Sequence, residues 1–391
     1  MQIKKIAIIT ATRAEYGLLK PLIQKVQEDA SLQLQLIVTG AHLSHSFGQT
    51  YKEIEKEFNI DAKIPLDLET NTPKSNTLAM AKLQSKLTQT LDELGSDILV
   101  ILGDRYEMLT AATVALMLHI PIAHIHGGEI TEGAQDDAIR HAITKLSHLH
   151  FTATEVYRQR VIQMGEEPWR VSNVGALGVE SIKKLRLLSK EAFEESIGVK
   201  LKAKNLLITY HPQTLATQSP QEQFNELLQA LESFDDTLLL FTKANADAGG
   251  KVINAMIDDF VSKHTNAIAF TSLGQLRYFS ALHYVDAVVG NSSSGILEVP
   301  SFKKPTINIG DRQKGRLQAD SIINTPIDSK AISKAIESIY TPEMQQRVQQ
   351  SSNPYESDNT SQKIVKLLKN TDITTLLEKK FYTPKAYHEP L

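Results

Sequence analysis

Ile98-Leu-Val-Ile-Leu102, then Met108 to Leu118, then Pro121-Ile-Ala-His-Ile125, read as strand, apolar helix, strand. A run of five apolar residues predicts a strand buried on both faces, which is the habit of a parallel sheet with helices on each side. Two parallel neighbours need a crossover helix between them, and Met108 to Leu118 supplies one. Toward the N-terminus the same grammar continues with a strand at Ile6-Ala-Ile-Ile-Thr10, a helix from about Gly17 to Glu28 and a strand at Gln33 to Thr39.

A second series begins near Asn205. Leu206 to Tyr210, Thr237 to Thr242, Ala267 to Phe270, Val285 to Val289 and Thr306 to Ile309 are short apolar runs, most of them separated by helical stretches. The chain therefore divides into an N-terminal Rossmann-like domain (1–180), a charged linker (181–204), a C-terminal Rossmann-like domain (205–360) and a terminal helix and tail (361–391), with residues after Phe381 expected to be loose. The expected class is α/β, two doubly wound halves facing a cleft. Ligands of such sheets sit at the carboxyl ends of the strands.

Composition narrows the partners. The chain has 391 residues, 41% of them hydrophobic and 22% charged, with a formal net charge of −3. That balance offers no coat for nucleic acid and no basic face for a membrane. No apolar run is long enough to span a bilayer, and Ile6 to Ile9 is too short for a secretory signal. There is no cysteine, which excludes disulfides, thiolate catalysis and cysteine-ligated zinc and fits a cytoplasmic protein.

Polar clusters fall where the strands end. Thr10-Ala-Thr-Arg13-Ala-Glu-Tyr-Gly17 follows the first strand, Gly103-Asp104-Arg105-Tyr-Glu107 the strand at 98–102, and His124-Ile-His126-Gly-Gly-Glu129 the strand at 121–125. Gly133-Ala-Gln-Asp136-Asp137-Ala-Ile-Arg140-His141 comes next. Its Asp136/Arg140 and Asp137/His141 pairs share helical faces, and alone they read as solvated surface pairs. In the second half Tyr210-His211-Pro212 ends a strand, Gly290-Asn-Ser292-Ser293-Ser294-Gly295 opens a helix with Glu298 beyond it, and Asn308-Ile-Gly-Asp-Arg-Gln-Lys-Gly-Arg316 ends the last strand. Taken singly, Asp104 is an N-cap, His211 a turn residue and the serine run a cap and turn. His124, His126 and Glu129 are a candidate metal set, but no third histidine follows in register, so no metal is expected. Caps do not require a charged or imidazole group at nearly every strand end, so the joint reading is a ligand site.

The serine run can cradle a diphosphate through backbone N–H groups, the helix dipole and hydroxyls. It lacks the Gly-Lys-Ser/Thr of a nucleotide triphosphate loop, and Gly-x-Gly-x-x-Gly is absent after the first strand, which disfavours hydride transfer. Glu298 suits ribose hydroxyls and Arg316 suits phosphate oxygens.

In order, the words Thr12 to Gly17, Leu102 to Arg105, His124 to Glu129, Asp136 to Lys145, His211-Pro212, Gly290 to Gly295 and Asn308 to Arg316 resemble the hydrolysing UDP-N-acetylglucosamine 2-epimerases of the sialic-acid pathway, the bacterial NeuC type. The resemblance covers most of the chain. It implies a GT-B fold with an interdomain site, a UDP-sugar substrate, no cofactor and a homodimer. It implies acid–base roles for Asp104, Asp137 and His211, with His126 where many relatives carry Glu. It puts Arg13 and Arg316 on the diphosphate, Ser292, Ser293, Ser294 and Gly295 in the phosphate loop, Glu298 on the ribose, and Glu129, Asp136 and Arg140 among the substrate groups. Ala41-His42-Leu43 and His211-Pro212-Gln213 stand where the non-hydrolysing branch carries other words, which favours the hydrolysing branch.

The chemistry wants these residue types. The C2 proton of a hexose ring is barely acidic until the C1–O bond to UDP breaks. Phosphate charge must then be stabilised and a base must take the proton; Asp104, His126 and Asp137 are the candidates. Water adds to the resulting 2-acetamidoglucal with protonation of the other face, giving free N-acetylmannosamine. A UDP-2,4-diacetamido-2,4,6-trideoxyhexose is the alternative substrate. A non-hydrolysing epimerase, a GT-B glycosyltransferase and a silent nucleotide-sugar sensor are the rival functions.

Overall fold

The computed structural model describes residues 3–68, 72–132, 135–212, 218–244 and 249–384. The chain forms two compact units. Unit 1 holds β1 (Lys4–Thr10), β2 (Leu32–Thr39), β3 (Ala62–Ile64), β4 (Ile98–Leu102), β5 (Ile122–Ile125), β6 (Leu149–Thr152) and β7 (Val171–Asn173). Unit 2 holds β8 (Lys204–Thr209), β9 (Thr237–Thr242), β10 (Ala267–Phe270), β11 (Ala287–Gly290), β12 (Thr306–Ile309) and β13 (Ile322–Thr325).

Each unit is one parallel sheet, in the order β3-β2-β1-β4-β5-β6-β7 and β10-β9-β8-β11-β12-β13. Strand order reverses between β1 and β4 in the first and between β8 and β11 in the second. Loops on either side of such a reversal diverge to opposite faces and leave a crevice. Two Rossmann-like, doubly wound units are thus what the alternation of apolar runs predicted.

The apolar runs are continuous because both faces are covered. Along β4, Ile98, Val100 and Leu102 enter one core with Ile6 and Ile8, while Leu99 and Ile101 enter another with Ala7 and Ile9. Unit 2 repeats the split: Leu206, Ile208, Leu239 and Phe241 face one way, and Leu207, Leu238 and Leu240 the other. The strand period of two sends alternate side chains to opposite layers.

The sequence reading placed β4, β9, β10 and β12 on their observed residues, and it started the first helix too late. That helix runs Arg13–Glu28, because Thr12 and Glu15 form a reciprocal capping box at its entrance. The helix Pro73–Leu94 had gone unread, although Thr72 caps its start and Gly95 ends it with φ +56. The short strands β3, β6, β7 and β13 had also been passed over. Residues 181–204 contain a helix, Lys190–Ile197, packed within unit 2 through Phe193 and Ile197.

The terminal helix, Thr360–Asn370, belongs to unit 1, where Ile364, Val365 and Leu368 join the core. Ser361 fixes its start by donating backbone N–H and hydroxyl to Glu180 (2.7 and 2.8 Å). The expectation of a loose chain after Phe381 is corrected in part. Tyr382 donates its N–H to Gly165 O (2.9 Å) and packs on Val161, Ile162 and Val171. Residues 385–391 lie outside the described residues. No helix among the described residues is long and apolar enough to cross a membrane.

Candidate active site

Unit 1 gathers its charged groups at the carboxyl ends of β4 and β5. Asp104, two residues past β4, forms an ion pair with Arg140 of the helix Gln135–Leu146. Arg140 is buried; its Nη1 donates to His126 O (2.8 Å) and lies 3.9 Å from Glu129 Oε2. Burial works against its charge, but Asp104 and Glu129 more than offset that, so the guanidinium stays protonated. The reading of Asp136/Arg140 as a solvated pair is therefore corrected: Arg140 turns inward to a carboxylate 36 positions away. Asp104 is likewise no N-cap, since that position belongs to Arg105.

His126 follows β5 with a left-handed backbone, φ +67. That conformation costs a non-glycine residue about 1–2 kcal/mol. Two backbone bonds hold it: His126 N–H to Phe151 O (2.9 Å) and Arg140 Nη1 to His126 O. The turn carries the imidazole to Glu129, with Nδ1 2.8 Å from Oε1. A carboxylate oxygen only accepts, so Nδ1 is the protonated nitrogen of that contact. Nε2 is buried and has no hydrogen-bond partner among the described residues. His124 differs, because both of its nitrogens are engaged, Nε2 with Gly103 O (2.8 Å) and Nδ1 with Thr144 Oγ1 (3.3 Å). It is a structural residue inside β5. Among the described residues no group of three or more side chains could hold a metal.

Asp137 and His141 form the expected i,i+4 contact at 3.5 Å, both about one-third exposed. Asp136 is exposed at the first turn of the same helix. Arg13 is half-exposed, 3.9 Å from Glu53. Gly133 and Ala134, part of the word before that helix, lie outside the described residues, as does Gln213.

Unit 2 builds a second cluster at its own strand reversal. Asn291, just past β11, accepts the His211 N–H at Oδ1 (2.7 Å) and returns Nδ2 to His211 O (2.8 Å). This reciprocal amide pair fixes the β8 turn against the β11 turn. Arg312 and Gln313 both donate to Asn291 O, at 3.0 and 2.9 Å. Burial, then Arg312, push the His211 pKa down to about 3, so its ring is neutral at physiological pH. Its Nδ1 has no hydrogen-bond partner among the described residues. Gly290 is obligatory beside it: φ is +141, and a Cβ would stand 1.9 Å from Thr209 O.

The helix opened by the serine run is one turn long, Ser294–Leu297, so the expected dipole contribution is corrected to that of local N–H groups. Ser293 makes no side-chain cap, whereas Ser292 Oγ accepts from Ser294 N (3.4 Å). Tyr278 donates its hydroxyl to Ser294 Oγ (2.7 Å), which leaves the Ser294 proton to donate elsewhere. Gly295 is needed for packing as well, since a Cβ there would meet Thr306 Cγ2 at 2.7 Å. Glu298 caps the far end of the turn, and burial, then the nearby Glu298 carboxylate, raise the Tyr278 pKa. Arg316, partly buried, ends the following loop.

The structure thus brings Asp104, His126, Glu129 and Arg140 together in unit 1. In unit 2 it gathers His211 with the turn that leads into Ser292, Ser293, Ser294 and Gly295. Asn291, Arg312, Gln313 and Tyr278 had not been singled out. The first three lie inside words already quoted from the sequence, but a neutral amide and a second arginine carry no signal until their partners are known. Tyr278 lies on a helix with nothing local to mark it.

The UDP-N-acetylglucosamine 2-epimerase family model matches residues 24–369. The GDP/UDP-N,N'-diacetylbacillosamine 2-epimerase (hydrolyzing) of Campylobacter jejuni is 45% identical over 383 residues, 97% of this chain and 99% of that one. The polysialic acid biosynthesis protein P7 of Escherichia coli is 39% identical, covering 94% of each chain. Among solved structures, the UDP-GlcNAc 2-epimerase of Neisseria meningitidis bound to UDP-GlcNAc superposes with a TM-score of 0.78 at 19% identity, over 94% of this chain and all of that one. That likeness shows the GT-B fold. With the match running through nearly every strand and both clusters, the chain belongs to the UDP-N-acetylglucosamine 2-epimerase family.

Proposed function

We propose that this protein is a hydrolysing 2-epimerase of UDP-linked 2-acetamido sugars, with UDP-2,4-diacetamido-2,4,6-trideoxyglucose (UDP-N,N'-diacetylbacillosamine) as substrate. The observation that carries it is the His126–Glu129 pair: Nδ1 is held by a buried carboxylate, and a buried Nε2 is left to take a proton. The 45% identity to a relative named for this sugar supports the choice of substrate. UDP-N-acetylglucosamine, giving N-acetylmannosamine, is the second reading, favoured by the 39% identity to the polysialic acid protein.

In the first step the C1–O bond breaks with its electron pair leaving on UDP. His126 Nε2 takes the C2 proton, and a C1–C2 double bond forms. In the second, water adds its hydroxyl to C1 and a proton reaches C2 from the opposite face, leaving a free sugar of inverted C2. Asp104, Glu129 and Arg140 together carry one negative charge while ionised, and a proton on His126 balances it. Asp104, oriented by Arg140, and Asp137, beside His141, are the groups for the returning proton and the water. Arg13, Arg316, His211, the Ser292–Gly295 turn and Glu298 hold UDP, with neutral His211 donating to the departing phosphate. Asp136 supports the charge of Arg140 from the helix start. As a member of this class it works without a cofactor and as a homodimer, which sedimentation checks.

The test is turnover in D2O with both nucleotide sugars in parallel. UDP plus a free sugar deuterated at C2 is expected. A product that keeps its nucleotide would assign the non-hydrolysing reaction, and UDP-sugar binding without C2 exchange would leave only a binding protein.

A further inference from the structure

Glu15 is buried in the first turn of the first helix of unit 1, and its two oxygens do different work. Oε2 accepts the N–H groups of Ala11 (2.9 Å) and Thr12 (3.0 Å), which holds the turn between β1 and the helix that carries Arg13. Oε1 has no hydrogen-bond partner among the described residues and faces Arg105 Nε at 4.0 Å. Arg105 follows Asp104 in the turn after β4 and forks onto Glu107, Nε to Oε2 (3.1 Å) and Nη2 to Oε1 (3.2 Å). Glu107 is fully buried. Two buried carboxylates therefore share one guanidinium, across the reversal between β1 and β4.

We propose that Glu15 is a positioning residue that ties the Arg13 turn to the Asp104–Arg105 turn across this crevice, and that its protonation state sets how firmly the two are held. When ionised, Oε1 attracts Arg105, and the bonds from Ala11 and Thr12 become charge-assisted. When protonated, Glu15 releases Arg105 to Glu107 alone, and the two turns lose their electrostatic link. The excess negative charge of the cluster falls on Glu15. Burial raises its pKa to about 7, against the pull of Arg105 and with the push of Glu107. The same helix carries Arg13, turned toward Glu53 (3.9 Å), and Tyr16; at the end of β1 the imidazole of His42 meets Thr10 Oγ1 (3.1 Å). Near neutrality small changes in pH then adjust the spacing of two turns that the proposed function places on one substrate, and the proposal rests on that reading.

The test is the pH profile of kcat/KM for UDP release, together with the infrared carboxyl band of the substrate-free protein. The wild type should lose kcat/KM as pH falls through about 7. Glu15→Gln keeps an oxygen for the two N–H groups but is always neutral. Above about pH 8 it should show kcat/KM about tenfold lower, since small misplacements of positioned groups cost that much or more. Its acid limb should be less steep, because one of the two proton-dependent groups, Glu15 and the proposed base, is gone. Glu107→Gln removes a like charge and frees Arg105, so the limb should move to lower pH. A limb as steep in Glu15→Gln as in wild type, or one that stays put in Glu107→Gln, overturns the proposal, as does a Glu15→Gln variant as active as wild type. Should Glu15→Gln not fold, the Glu107→Gln shift decides. The infrared arm needs no substrate. A protonated carboxyl that titrates near neutrality in wild type supports the proposal and its absence overturns it, whereas a wild type that releases no UDP counts against the proposed function instead.

Discussion

His126 Nδ1 lies 2.8 Å from Glu129 Oε1, and Arg140, which donates to His126 O, also pairs with Asp104. One buried guanidinium thus fixes both the backbone of the proposed base and the carboxylate beside it. His126→Asn should lower turnover by about 10²-fold or more, the usual loss for a general base. Glu129→Gln should lower it by about 10–100-fold by letting the ring choose the wrong tautomer. C2 deuterium uptake in D2O checks both, and should fall in parallel with UDP release.

Arg140→Met should unfold the site before it tests the chemistry. It leaves Asp104 and Glu129 in poorly hydrated positions without their counter-charge, a loss of about 3–5 kcal/mol for a broken buried pair. Arg140→Lys keeps the charge without the fork that reaches both Asp104 and His126 O, so it should recover stability only in part. Urea unfolding of the two variants against wild type measures the difference.

Gly290→Ala meets two penalties at once, a left-handed φ of +141 and a Cβ 1.9 Å from Thr209 O. Strain at such a residue is about 1–3 kcal/mol, and overpacking adds about as much. Because Asn291 and His211 are tied across this approach, UDP affinity should fall along with the denaturation midpoint. A substitution that lowers neither would show that β8 and β11 can separate freely.

Acid should destabilise the fold through its buried histidines. Burial lowers His42 and His148 to about 4, and His124 and His211 to about 3. Between those values and the ordinary 6.5 the unfolded chain binds more protons than the native one, so stability rises with pH across that window and is lost as pH falls through it. The Tm should therefore drop between about pH 7 and about pH 5. His148→Asn, which can still accept the Ile122 N–H now received by Nδ1 (3.1 Å), should flatten that slope.

Much of the architecture was legible because burial on both faces writes itself into four to six consecutive residues. β4, β9 and β12 could be read that way, while β3 and β7, three residues each, could not. The helix Pro73–Leu94 was passed over because its caps, Thr72 and Gly95, lie 23 positions apart with a mostly exposed polar stretch between them.

The sequence by itself determined that this chain is a pair of parallel α/β units with charged turns at the strand ends, since local periodicity and turn chemistry are properties of neighbours. It also placed Asp104, His126, His211 and the serine run among the candidate groups. Only the tertiary structure decided that Arg140 faces Asp104 rather than Asp136, that His126 keeps one nitrogen open, and that Asn291 locks His211. Those contacts join residues 36 and 80 positions apart. They depend on which strands become neighbours in the sheet, which no local pattern specifies.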